Sequence, residues 1–340
     1  MQTAAVRQDA EAAPARLYSQ GHELDLDPDK YGELWDSSHL VDDMAALRSR
    51  MDEDGFWLMR GLIDRDRVLE ARREIMLKYA IIGEIDDVNH PVMEGIQSRE
   101  SFIDKVNLLA FTESVMTGQA YRSVVMDDAL TGLLGRFFES PVQTFDFRWW
   151  RFMRPGETTG FHCDSPYINR GTQRVISAWI PLGDVPREEG GLIVLEGSHK
   201  DERLKERYSH KDADRDRLGW LSTNPITLQK NLGGRWLTTD YRAGDVIIFS
   251  MFLVHGTIDN HSSSNRCRLT SDTRYQPVGE PLDERWNGEQ LNPHGGRRVY
   301  LPGLGRWNNN RDFGDEWKSV DERGRLVPPE PEAQNLATAD

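Results

Sequence analysis

The sequence predicts a mainly β fold with flanking helices, organised around a double-stranded β-helix core of the jelly-roll, cupin-like type. Two observations favour this class. Up to about residue 140, apolar residues recur at helical spacing, whereas from Val142 onward short β-prone runs are separated by Gly, Pro and Asp. Several short strands with such punctuation are typical of a jelly-roll barrel.

Composition and charge limit the possible partners. The chain of 340 residues is 38% hydrophobic with 10 Trp, which is ample for a buried core. A net charge of −14 argues against nucleic acid and anionic membrane surfaces as partners. Only two cysteines, Cys163 and Cys267, and an N-terminus without an apolar signal region predict a cytoplasmic protein. We therefore expect neither nucleic acid nor a membrane as a partner.

We expect one folded domain between two disordered ends. Residues 1–20 are rich in Ala, Gln and Asp and lack periodicity, and the tail 322–340 is rich in Pro and Glu. The single domain, 21–321, would comprise three parts: a helical part at 21–140, the jelly-roll core at 141–280 and a C-terminal extension at 281–321.

The helical part contains an early strand. Phe56 to Met59 is apolar and ends at Gly61, after which Asp64 is placed to cap a helix. Apolar residues of that helix recur at Val68, Ala71, Ile75 and Tyr79. A second helix is predicted in 129–140, where the same spacing links Leu130, Leu133, Leu134, Phe137 and Phe138.

The core strands begin at residue 142. In 142–153 alternate residues share a side, which indicates a strand with two different faces. Further short β-prone runs lie at 174–182, 191–197, 245–254 and 268–276. Residues 200–220 carry so much charge that we expect them to form an exposed helical excursion between strands.

The segment FHCDSPYI, residues 161–168, carries the first chemical signal. On a strand, His162 and Asp164 would point to the same side. They could be metal ligands, or they could be polar residues on a solvent-exposed face of the strand. Two further His-x-Asp pairs lie at or inside the charged excursion and are interpreted as solvated residues: His199/Asp201 and His210/Asp212.

A third ligand is available downstream. An apolar run, DVIIFSMFLV, leads to His255, which is followed by Gly256. A single histidine at a strand end is more often structural. Two histidines and one carboxylate, however, form the facial triad of non-haem Fe(II) oxygenases, which leaves coordination positions open. A His-x-Asp strand facing a later histidine is a geometry in which a small barrel could assemble this triad.

A following strand supplies a candidate cosubstrate clamp. Arg266, Arg268 and Thr270 share one side of the strand NRCRLTSDTRYQ. The far carboxylate of 2-oxoglutarate needs a buried cationic fork, and Arg provides one with bidentate geometry. A surface strand edged with arginine is the alternative.

In their order along the chain, these motifs resemble the phytanoyl-CoA dioxygenase family of Fe(II)/2-oxoglutarate-dependent oxygenases. The resemblance includes DEDGFWLMRGLI, FIDKVNLL, the His162-x-Asp164 strand, ISAWIPLGDV, EEGGLIVLEGSHK, GDVIIF, HGTIDN and the arginine strand. It implies that His162, Asp164 and His255 bind Fe(II).

The resemblance also implies roles around the cosubstrate. Arg268 would hold 2-oxoglutarate, with Arg266 as the second candidate and Thr270 as the adjacent hydroxyl. Lys105 matches a family lysine near the cosubstrate. Trp179 matches an aromatic residue that lines the pocket.

The implied reaction is hydroxylation of an unactivated C–H bond of a small organic metabolite. It would use Fe(II), 2-oxoglutarate and O2 and release succinate and CO2. Asp164 favours hydroxylation, because related halogenases lack a carboxylate at this position. No catalytic residue beyond the metal site is predicted.

Candidate substrate contacts are of two kinds. The aromatic residues Trp150, Phe161 and Tyr167 could line an apolar pocket. Arginines could instead hold an anion, at Arg148, Arg151 and Arg154. Two alternatives stay open: the same iron site performing desaturation, cyclisation or epimerisation in natural-product biosynthesis, and a non-catalytic jelly-roll binding module.

Overall fold

The computed structural model describes residues 16–99, 101–216 and 218–288, with the short strands Ser319–Val320 and Leu326–Val327. Its α-helices are α1 Met44–Asp54, α2 Arg65–Ile81, α3 Leu108–Met116, α4 Gln119–Val125, α5 Asp128–Phe138, α6 Ser165–Ile168, α7 Glu202–Leu204 and α8 Pro225–Leu232. Its strands are β1 Tyr18–Ser19, β2 His22–Glu23, β3 Tyr31–Glu33, β4 Phe56–Met59, β5 Val142–Thr144, β6 Trp149–Met153, β7 Ile176–Pro181, β8 Leu192–Leu195, β9 Trp236–Thr238, β10 Val246–Ser250, β11 His255–Thr257, β12 Arg268–Pro277, β13 Ser319–Val320 and β14 Leu326–Val327. None of the described helices is both long and apolar enough to cross a membrane.

Two packed sheets form the predicted jelly-roll core. In the described part of the chain, the larger sheet has the strand order β4-β10-β7-β12-β5, with β6 also paired to β12. The smaller sheet has the order β11-β8-β9-β3. Trp179 and Phe249 from the larger sheet pack with Val194 and Leu237 from the smaller one. The interior of the barrel therefore lies between the two sheets.

Strand β12 is buried along its whole length because its two faces meet different layers. Leu269 and Tyr275 belong to the core that the larger sheet shares with the helices. The Tyr275 hydroxyl donates to the carbonyl of Val125 at 2.6 Å. Since side chains alternate along a strand, the even-numbered residues from Arg268 to Arg274 face the barrel interior.

The helices cover the outer face of the larger sheet. Helix α2 begins after Asp64, whose carboxylate accepts the backbone N–H of Arg67 at 2.9 Å, so the predicted N-cap is confirmed. Its buried face contains the predicted residues Val68, Ala71, Ile75 and Tyr79. Helix α5 buries Leu130, Leu133, Leu134 and Phe138 in the same core.

The N-terminal boundaries differ from the prediction. Residues 16–20, expected to be disordered, belong to the fold: Leu17 is buried, and the Ser19 hydroxyl donates to the carbonyl of Thr257 at 2.7 Å. The part predicted as helical also supplies strands to both sheets, because β3 pairs with β9 and β4 pairs with β10. The jelly roll therefore begins well before residue 141.

Other predicted boundaries lie partly outside the described residues. This applies to the disorder expected for 1–15, to most of the extension 281–321 and to most of the tail 322–340. Within that tail, β14 pairs with β13 in an antiparallel ladder, so Leu326–Val327 departs from the expected disorder.

The charged segment 200–220 is not the exposed excursion that we predicted. Leu204 and Tyr208, which lie one helical turn apart, are fully buried. The segment packs against the His-x-Asp region, where the Ser165 hydroxyl donates to the carbonyl of Ser209 at 2.6 Å. The buried residues of this segment therefore support the His-x-Asp region.

Candidate metal centre

His162 and His255 face each other across two backbone segments. His162 N–H donates to the carbonyl of His255 at 3.0 Å, and His255 N–H returns the bond at 2.9 Å. Directly opposed residues of such a pair project to the same side, and the two ring centroids lie 4.4 Å apart. The predicted convergence of the two histidines is therefore observed.

The backbone also selects the nitrogen that each imidazole presents. Nδ1 of His162 lies 2.8 Å from the carbonyl of Gly160, and Nδ1 of His255 lies 3.0 Å from that of Leu253. A carbonyl can only accept, so each Nδ1 carries the proton. Each Nε2 is left with its lone pair directed toward the centre of the cluster.

Asp164 completes the cluster from a helix rather than from a strand. Its backbone is already helical (φ −73°, ψ −26°), and it is the N-cap residue of α6. The predicted alternation of side chains along a strand therefore does not extend to Asp164. Its Oδ1 lies 3.8 Å from Nε2 of His162 and 3.9 Å from Nε2 of His255. The three donor atoms lie within 4.8 Å of one another, and all three residues are buried.

Two residues that the sequence analysis did not assign hold the Asp164 carboxylate. Arg274 donates to Oδ1 at 2.7 Å, and the Ser177 hydroxyl donates to Oδ2. Arg274 shares the parity of Arg268 on β12, which was the available signal. Ser177 shares the parity of Trp179 on β7, but its contact with Asp164 depends on the pairing of β7 with β12.

The electrostatics suit a cation. Burial, with the charge of His255 as the next cause, lowers the pKa of His162 to about 3, so this imidazole is neutral at physiological pH. Burial alone would raise the pKa of Asp164, but Arg274 and the two histidines outweigh it and hold that pKa well below its usual range. Two imidazole nitrogens and one carboxylate form the donor set of a non-haem iron site, so these residues fit Fe(II).

Arg268 is buried without a counterion. It is 2% exposed, and its guanidinium contacts the Thr270 hydroxyl at 3.1 Å and the Met153 sulfur at 3.1 Å. Its Nε has no hydrogen-bond partner, and none of the ion pairs among the described residues involves it. Burial and the nearby Arg151 lower its pKa to about 9. A buried cation with this surrounding fits an anionic ligand.

Arg266 and Lys105 do not reach this cluster. The Arg266 guanidinium is one-third exposed and lies 3.6 Å from a carboxylate oxygen of Glu189. Lys105 is exposed at the end of a 3-10 helix, with its ammonium 5.0 Å from the ring centroid of Phe102. Both expectations are corrected: Arg266 lies just before β12 begins, and Lys105 lies in a surface turn.

The candidate pocket residues divide by the face of the strand on which they lie. Trp179 faces the interior, 5.9 Å from the Arg268 guanidinium. The Tyr167 ring stands nearly perpendicular to that of His162, with centroids 5.8 Å apart. The other two were wrong as pocket residues: the Trp150 indole donates to the Tyr79 hydroxyl on the helical side, and Phe161 packs on Trp236 outside the smaller sheet.

The remaining His-x-Asp pairs stay outside the cluster, and of their four residues only His210 is exposed, as predicted. His199 is buried, and its Nε2 lies 3.1 Å from the carbonyl of Asp52. Asp212 is buried and accepts two hydrogen bonds from Arg170. Both therefore stabilise packing.

Known proteins resemble this chain in sequence. The pattern of the family described as phytanoyl-CoA dioxygenase (PhyH) matches residues 51–267. The 1-deoxypentalenic acid 11-beta-hydroxylase of Streptomyces exfoliatus is 26% identical over 259 residues, which cover 74% of this chain and 87% of that enzyme. The ectoine dioxygenase of Nocardia farcinica is 26% identical over 276 residues, covering 75% and 85%.

Solved structures resemble it in fold. The non-heme alpha ketoglutarate dependent carbocyclase SnoK from nogalamycin biosynthesis matches with a TM-score of 0.50 at 18% identity, over 88% of this chain and 98% of that one. The epimerase SnoN, in complex with Fe3+, alpha ketoglutarate and nogalamycin RO, matches with a TM-score of 0.50 at 17% identity, over 85% and 97%.

Proposed function

The chain belongs to the phytanoyl-CoA dioxygenase family, and we propose on that basis that its buried His162, Asp164 and His255 are the iron ligands of the enzyme. The enzyme is an Fe(II)- and 2-oxoglutarate-dependent dioxygenase that hydroxylates a small organic metabolite. The observation that carries the ligand assignment is the convergence of three donor atoms within 4.8 Å inside the barrel.

The two histidines would bind iron through Nε2, and Asp164 would bind it through Oδ1. Arg274 and Ser177 fix the carboxylate from either side, so Asp164 offers one oxygen in a defined direction. Three protein ligands on one face leave the opposite positions open for cosubstrate and O2.

Arg268 would bind the far carboxylate of 2-oxoglutarate, with the Thr270 hydroxyl beside it and Trp179 as an aromatic wall. When bound, iron and 2-oxoglutarate supply the oxidising chemistry, which consumes O2 and yields succinate, CO2 and a hydroxylated product. The protein contributes orientation and the exclusion of water, since the ligands and Arg268 are all buried.

Succinate formation after anaerobic reconstitution tests the assignment. The wild-type enzyme, supplied with Fe(II), 2-oxoglutarate, a substrate library and then O2, should form succinate. His162→Ala should lose this activity, because the metal loses a ligand. His210→Ala, from a His-x-Asp pair outside the cluster, is the matched control and should keep it. Equal rates in wild type and His162→Ala would remove the ligand assignment.

Product mass identifies the reaction outcome. Hydroxylation adds one oxygen atom, whereas desaturation removes two hydrogen atoms. Epimerisation leaves the mass unchanged.

We further propose a cytoplasmic location, which the two buried free thiols support.

A further inference from the structure

The barrel interior carries more cations than anions. Arg151, Arg268 and Arg274 lie on the inward faces of β6 and β12, with Asp272 between the last two. Asp272 is shared, 3.1 Å from Arg151 and 3.0 Å from Arg274, and Arg274 also pairs with Asp164. Among the described residues of this interior group, three guanidinium groups therefore face two carboxylates.

This surplus persists when the site is filled. The iron dication and the 2-oxoglutarate dianion cancel, and Arg268 is already assigned to the dianion. One positive charge is left over at the edge of the buried site, where solvent screens it only in part. A further anion would compensate it.

Arg151 is the accessible member of the three. Its side chain is 35% exposed, whereas that of Arg274 is 4% exposed and Arg268 is fully buried. Its ion pair with Asp272 uses a single nitrogen. It lies opposite Thr270 in the ladder between β6 and β12, two positions from the proposed clamp residue Arg268.

The other two arginines considered from the sequence fit less well. Arg154 is held by two carboxylates, those of Glu84 and Glu157. Arg148 precedes β6 on the opposite parity to Arg151 and contacts the Thr144 hydroxyl and its own loop. Neither is an accessible, partly compensated cation facing the interior.

We propose that Arg151 binds the carboxylate of the substrate, so that the enzyme acts on small organic acids with an apolar body. This inference rests on the proposed function. Trp149 and Met153 flank Arg151 on the same face of β6, and Tyr167 stands beside His162. These side chains offer apolar surface beside Arg151 and beside the metal cluster.

Matched probes test the charge preference directly. The enzyme is loaded with Ni(II), which does not support turnover, and with 2-oxoglutarate, and is titrated calorimetrically with benzoate and with benzamide. Benzoate should bind at least about tenfold more tightly, because hydrogen bonds to a charged partner are about twice as strong as neutral ones. The preference should fall with added salt. No preference, including no binding of either probe, would overturn the inference.

Variants locate the preference. Arg151→Gln should abolish it and Arg151→Lys should keep part of it, whereas Arg148→Gln should leave it unchanged. A rise in the 2-oxoglutarate Kd in Arg151→Gln with the benzoate preference intact would make Arg151 a cosubstrate residue and overturn the proposal. The same titrations report Ni(II) and 2-oxoglutarate binding. If the wild type bound neither Ni(II) nor 2-oxoglutarate, the proposed function would be refuted. If it bound both but did not prefer benzoate, only this inference would be refuted.

Discussion

Replacing Arg268 with methionine should have two effects of opposite sign. Methionine keeps an unbranched apolar stem and removes the charge. We expect Arg268→Met to stabilise the metal-free, cosubstrate-free enzyme and to weaken 2-oxoglutarate binding. A structural arginine would show the reverse, with lower stability and unchanged binding.

The magnitudes follow from the burial of the guanidinium. A pKa lowered to about 9 corresponds to roughly 4–5 kcal/mol of unfavourable charge burial. The variant also loses the contact with Thr270, so the expected net gain in the free energy of unfolding is about 1–4 kcal/mol. Truncating one side of a buried charge pair costs roughly 2–5 kcal/mol, so the 2-oxoglutarate Kd should rise at least about tenfold.

Urea unfolding of the metal-free protein and calorimetric titration of the Ni(II) form with 2-oxoglutarate measure the two effects. Arg266→Met, which removes a partly exposed ion pair with Glu189, is the control and should change stability by no more than about 1 kcal/mol. Because the pKa of Arg268 is lowered to about 9 in the folded state, the buried charge reduces the free energy of unfolding of the wild type fully below pH 9. This loss of stability diminishes as the pH rises through 9 and Arg268 loses its proton. The advantage of Arg268→Met should therefore shrink above pH 9. A variant less stable than wild type, with unchanged 2-oxoglutarate affinity, would refute the clamp.

Three further predictions concern the supports of the site. Ser177→Ala removes the donor to Oδ2 of Asp164 and should weaken metal binding by about tenfold in a competition titration with a chromophoric chelator; an unchanged affinity would contradict the role. Tyr208→Ala should lower the free energy of unfolding by about 3–5 kcal/mol, whereas exposed Arg215→Ala should have little effect in the same urea titration. Adding metal to the chelator-treated enzyme at about 100 times its Kd should stabilise it by about 2.7 kcal/mol, and the same addition should not stabilise His162→Ala.

Much of the site was predictable because strand parity assigns side chains to faces. Arg268 and Thr270 were assigned to one side of their strand, and the structure has both on the inward face of β12. The same alternation also shows which aromatic residues cannot face the interior, and the prediction did not use it. Phe161 neighbours His162, so an inward His162 requires an outward Phe161, and Trp150 is outward for the same reason beside Arg151.

What could not be predicted depends on contacts between distant segments. Ser177 supports Asp164 only because β7 and β12 pair in one particular register. The sequence left Arg266 as a second candidate beside Arg268, but β12 begins at Arg268, and Arg266 pairs with Glu189. In 200–220, the four-residue spacing of Leu204 and Tyr208 was outweighed by the charge around it, although that spacing is what buries the segment.

Strand β12 links these observations physically. Its inward residues include the proposed cosubstrate clamp, Arg268, and the arginine that holds the proposed metal ligand Asp164, Arg274. Its outward residues Leu269 and Tyr275 are covered by the helices. A slip of one residue would bury both guanidinium groups against the apolar helical layer. The helical layer is therefore part of what assembles the site, because its packing on the odd-numbered residues keeps the even-numbered ones directed toward iron and 2-oxoglutarate.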